Sequence, residues 1–79
     1  MGAKYPVLRP DEIIKTLEKF GFVYKSQKGS HAKYFKVSGH TPTKTVIVPM
    51  HYEVAKGTLQ SILGQAGLSL EEFEKMRNS

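Results

Sequence analysis

The sequence contains no cysteine. That excludes a disulfide, a thiolate nucleophile and any Cys-type zinc site. A chain of 79 residues with no such staple must rest on its apolar core, which fits a reducing compartment at least as well as a secreted one; a cytoplasmic location is expected. Long apolar runs are also missing, so nothing is expected to span a membrane. The opening stretch MGAKYPVLRPDE lacks the apolar region of a signal peptide. Carboxylates are scarce in the middle of the chain, where Glu53 stands alone between residues 25 and 56, and this leaves no paired acids for glycosidase-type chemistry. No G-x-x-x-x-G-K-[ST] phosphate loop occurs. The three histidines, His31, His40 and His51, form no i, i+4 pair, so neither a metal nor a cofactor is expected.

What is present is an ordinary globular mixture, 39% hydrophobic and 24% charged, which sets aside collagen-like, low-complexity and disordered classes. The length fits one domain over residues 1–79. A domain of this size buries only about 60–65% of the surface its unfolded chain exposes. Twelve Lys and Arg outnumber seven Asp and Glu, for a net charge of +5. The excess is not spread evenly. Lys25, Lys28, Lys33, Lys36, Lys44 and Lys56 face only Glu53, so residues 25–56 carry the whole of it. A basic stretch of this kind points to a polyanion, RNA or DNA.

The first periodic segment runs from Pro10 to Phe20. Proline suits the first position of a helix, and Asp11 and Glu12 favour its first turn. Ile13, Ile14, Leu17 and Phe20 share one face. Three strands follow. Phe22–Lys28 and His31–Val37 flank Gly29-Ser30, whose leading glycine fits a type II′ turn. Ser38–Lys44 reads as a longer polar loop. Thr45–Val48 is a β-branched strand closed by Pro49. Alternation alone does not say which sheet face is the core, because both faces mix aromatic and lysine residues. A helix is expected from about Gly57 to Ala66. Another starts after Ser69, where Ser69-Leu70-Glu71-Glu72 fits a capping box. The order α-β-β-β-α-α gives an α+β fold, a three-stranded antiparallel meander with helices on one face. The other face is left free to meet a ligand.

His31 stands at the first position of a strand, directly after the Gly-Ser turn. Lys28 precedes that turn and Lys33 follows two residues on, which places one imidazole between two ammonium groups. His51 reads first as a loop histidine, with a second proton-transfer group as the alternative.

Lys28-Gly29-Ser30-His31, Val48-Pro49-Met50-His51, Lys56-Gly57-Thr58-Leu59 and Gln65-Ala66-Gly67-Leu68-Ser69, in that order, resemble the HicA family, small mRNA-interferase toxins of toxin–antitoxin pairs. The opening helix with Phe20-Gly21-Phe22 and the closing Glu72-Phe73 extend the likeness over residues 9–74, so residues 1–8 read as an N-terminal extension to a domain over 9–77. The resemblance implies a fold like that of double-stranded-RNA-binding domains, endoribonuclease activity on mRNA, catalysis by the histidine of the Gly-Ser-His turn, here His31, and a HicB-type antitoxin as partner. RNA can be cut without a metal because its own 2′-hydroxyl is the nucleophile. On this reading His31 moves a proton, while Lys28, Ser30, Lys33, Lys36 and Lys44 hold the RNA. Alone, the chain is expected to be a monomer. The alternative is a non-catalytic RNA-binding module that uses the same lysines and stacks bases on Tyr24, Tyr34 and Phe35.

Overall fold

The computed structural model describes residues 5–79, the side chain of Ser38 excepted. Helix α1 spans Pro10–Lys19, one residue short of the expected end. Its start is capped from within, the Arg9 amide donating to the Glu12 carboxylate at 3.2 Å. The expected apolar face is the buried one: Ile13 and Leu17 are fully enclosed, with Ile14 and Phe20 packed at the rim.

Strands β1 (Val23–Lys28), β2 (His31–Ser38) and β3 (Thr41–Pro49) form one antiparallel sheet in the order β1-β2-β3. Gly29, at φ +59°, takes the first turn position between β1 and β2. Ser30 keeps negative φ, which fits a type II′ turn and excludes type I′. The polar loop expected over Ser38–Lys44 is not there. Gly39, at φ +66°, and His40 close a second tight hairpin, and β3 begins at Thr41. Pro42 lies within this strand. It is accommodated because β3 is an edge strand and its partner Val37 sits at a register slip after Lys36. The Thr43 hydroxyl donates to the Lys36 carbonyl at 3.1 Å beside that irregularity.

Helices α2 (Lys56–Ala66) and α3 (Leu70–Arg77) complete the order α-β-β-β-α-α, an α+β fold. The capping box at α3 is formed. The Glu72 amide donates to Ser69 Oγ at 3.0 Å, and the Ser69 amide donates to the Glu72 carboxylate at 2.9 Å. These contacts hold the Glu72 carboxyl below the usual glutamate range, with the Ser69 backbone bond the largest cause. Arg77 fastens α3 to itself and to α1, bonding Glu74 at 2.7 Å and lying 3.9 Å from Glu12.

One core cluster gathers residues from Leu8 to Phe73. Ala32, Tyr34, Val46 and Val48 supply the sheet's contribution, which settles the face that alternation left open. Leu8, the last residue of the expected N-terminal extension, joins the core. Leu8 is buried, and its carbonyl accepts from the Val54 amide at 2.7 Å. Residues 1–4 lie outside the described residues. Among the described residues, no helix is long and apolar enough to cross a membrane.

Candidate active site

With Ala32 and Tyr34 turned to the helices, His31, Lys33 and Phe35 take the opposite face of β2. Cross-strand pairing brings Lys28 beside His31 and Ser26 beside Lys33 on one flank. Pro49 lies beside His31 and Ile47 beside Lys33 on the other. Ser26, Lys28, His31, Lys33 and Ile47 line an open recess of about 380 Å³ on this face.

The turn that delivers His31 is held on two sides. The Gln27 side-chain Nε2 donates to the Gly29 carbonyl at 3.1 Å. The Met50 amide donates to the Ser30 carbonyl and so ties the segment after β3 to the same turn. As a result His51 lies against His31, the two rings edge to face with centroids 6.3 Å apart. Both histidines are exposed.

The six residues expected to act together are divided by the sheet. His31, Lys28 and Lys33 share the recess, with Ser30 exposed in the adjoining turn. Lys36 and Lys44 do not join them. They are partners across β2 and β3 and have the same parity as Ala32 and Tyr34, so both point to the helix side. The Lys36 ammonium lies 6.0 Å from the Phe22 ring centre, and the charge of Lys44 acts on Glu72. Period-2 spacing along β2 was enough to separate Lys36 from Lys33 once the inward face was known, whereas Lys44 required the register of β3 on β2.

Of the three rings considered for base stacking, Tyr34 is in the core. Burial, with Glu18 and Tyr24 adding to it, raises its hydroxyl above the usual tyrosine range. Tyr24 sits on the helix side of edge strand β1, edge to face with Tyr34 at 5.7 Å. Only Phe35 faces the recess side. A bulge in β1 between Tyr24 and Ser26 adds a cation there, because Lys25 is the extra residue and its ammonium lies 5.8 Å from the Phe35 ring centre. Strict alternation would group Val23, Lys25 and Gln27 on one face. The bulge breaks that grouping, so Val23 pairs with Phe35 and Gln27 with Ala32.

A family model described as "HicA toxin of bacterial toxin-antitoxin" matches residues 10–68. The chain belongs to the HicA toxin family. The match covers α1, the whole sheet, α2 and the linker that follows it, and so contains every residue of the recess. Among curated proteins, no sequence matches this HicA-family chain. Family membership carries with it a toxin–antitoxin role, with RNA as the target and an antitoxin as the partner. Among the described residues, no three side chains of His, Asp or Glu converge as a metal site would require.

Proposed function

We propose that this HicA-family chain is the endoribonuclease of a type II toxin–antitoxin pair and cuts mRNA in the cytoplasm by a metal-independent, histidine-dependent reaction. The observation that carries this reading is the recess itself. It sets one exposed imidazole, His31, beside two ammonium groups, Lys28 and Lys33, on the sheet face that the helices leave open.

RNA supplies its own nucleophile. The protein has to move a proton and steady the negative charge that builds on phosphorus. A positioned proton-transfer group contributes roughly 10²–10⁴-fold. Lys28 and Lys33 offer the cations for the non-bridging oxygens, a contribution of comparable or larger size. Ser30 can donate a further hydrogen bond from the turn. The alternative of a purely binding module is weakened, because Tyr34 is enclosed and cannot stack on a base.

A HicB-type antitoxin masks the toxin in this proposal by covering the open face with an acidic surface. Opposite charge speeds the encounter and fixes its orientation.

The test is incubation of the purified protein with a long RNA in EDTA, beside the His31→Ala variant. Wild-type cleavage that survives EDTA and is abolished by His31→Ala, with folding and RNA binding retained, is the expected result. Cleavage at the wild-type rate by His31→Ala overturns the role of His31. Loss of wild-type cleavage in EDTA, restored by a divalent ion, overturns the metal-free mechanism.

A further inference from the structure

We propose that His51 is the second proton-transfer group of the reaction, the acid that serves the departing oxygen while His31 serves the attacking one. This rests on the RNA-cleavage reading above and adds a catalytic residue to it.

Breaking an RNA strand by its own 2′-hydroxyl needs two proton movements. The 2′-oxygen loses its proton as it bonds to phosphorus. The 5′-oxygen gains one as its bond to phosphorus breaks. The products are a 2′,3′-cyclic phosphate and a free 5′-hydroxyl, and no oxidant, water or metal enters the balance. The recess supplies one imidazole, and its other polar groups are ammonium ions and a hydroxyl.

The second imidazole is beside the first. The ring centroids of His31 and His51 are 6.3 Å apart and the planes stand at 87°. One phosphoryl group between the rings can reach a nitrogen of each with hydrogen bonds of about 2.8 Å. Attack and departure occur on opposite sides of phosphorus, so the two groups must flank it. Lys28 pairs with His31 on its β1 flank, whereas His51 follows Pro49, which pairs with His31 on its β3 flank. This places the non-bridging oxygens against Lys28 and Lys33 and directs the departing nucleoside toward His51.

The position of His51 follows from two anchors in the backbone. The Met50 amide is bonded to the Ser30 carbonyl, one residue from His31. Val54 is buried, and its amide is bonded to the Leu8 carbonyl. His51, Tyr52 and Glu53 form a three-residue arch between these fixed points, and all three are exposed. A histidine in an untethered surface loop would have no such constraint toward the catalytic turn.

The test uses an oligoribonucleotide that the wild-type protein cuts, and the same molecule with sulfur replacing the bridging 5′-oxygen at the cleaved bond. A thiolate departs without a proton. His51→Ala and His51→Gln are expected to cut the oxygen substrate roughly 10²–10⁴-fold more slowly than wild type and to recover most of that loss on the sulfur substrate. His31→Ala is expected to fail on both. Melting curves matching wild type establish that the His51 variants are folded. Cleavage of the oxygen substrate at wild-type rates by both variants overturns the proposal, and so does an equal loss on the two substrates. Failure of the wild-type protein to cut any RNA instead removes the reading on which the proposal stands.

Discussion

The Ile47 amide of edge strand β3 donates a hydrogen bond to the Gln65 side-chain oxygen of α2 at 2.9 Å. The Gln65 nitrogen in turn donates to Ser61 Oγ at 3.2 Å, which fixes the amide against its own helix. A helix on the covered face thus reaches the rim of the sheet and occupies a backbone donor that another strand could use. Gln65→Ala should cost about 0.5–1.5 kcal/mol. For a domain of this size, 1 kcal/mol is about 4–8 °C in Tm. The discriminating measurement is hydrogen exchange at Ile47, whose amide should exchange faster in the variant. Unchanged exchange there would mean the bond holds nothing in solution.

The division of the lysines between two faces gives an RNA-binding prediction. Lys28 and Lys33 line the recess, whereas Lys36 and Lys44 point to the helix side. In a His31→Ala background, where RNA stays intact, the pair Lys28→Gln and Lys33→Gln should weaken RNA binding clearly. The pair Lys36→Gln and Lys44→Gln should weaken it much less, although the change in net charge is identical. Affinity should fall steeply with salt through counterion release, and each phosphate that a variant no longer neutralises should flatten the log–log salt slope by about 0.7 for a single strand. Equal weakening by the two pairs would show that RNA responds to overall charge and not to the recess.

Acid should loosen helix α3. The Arg77 side chain, bonded to Glu74, holds the Glu74 carboxyl below its usual value of 4.5. A carboxyl depressed in the folded state stabilises that state fully above its unfolded value, and the contribution disappears as pH falls through the folded value. Glu72, depressed by its Ser69 contacts, acts in the same direction. Tm should therefore hold steady from neutral pH down to about 5 and decline below it. Glu74→Gln should start lower at neutral pH and decline less steeply, so that the two curves converge in acid. Parallel curves would exclude the Glu74 contribution.

Elements built from neighbours in sequence were legible in the sequence by itself. Pro10, Asp11 and Glu12 mark the start of α1, Ser69 and Glu72 cap α3 reciprocally, and Gly29-Ser30 turns the first hairpin. Each depends on groups within three or four residues of one another, so local stereochemistry decides it. His31 could be singled out for the same reason, since the turn that presents it is adjacent. The faces and the strand register depended on contacts far apart in the chain. Both sheet faces carry aromatic and lysine residues, and only the packing of Ala32, Tyr34, Val46 and Val48 with the helices' Ile13, Leu17 and Leu59 in one core decides which is buried. That choice sends Lys33 to the recess and Lys36 away from it. The bulge at Lys25 shifts the alternation of β1, and the irregularity after Lys36 accommodates Pro42 in a strand that the sequence reads as a loop. The approach of His51 to His31 required both the pairing of His31 with Pro49 and the bond between Met50 and Ser30. These residues are about twenty apart, and nothing in their local sequence encodes the meeting. It arises because β3 pairs beside β2 and its exit is fastened to the turn that carries the first histidine.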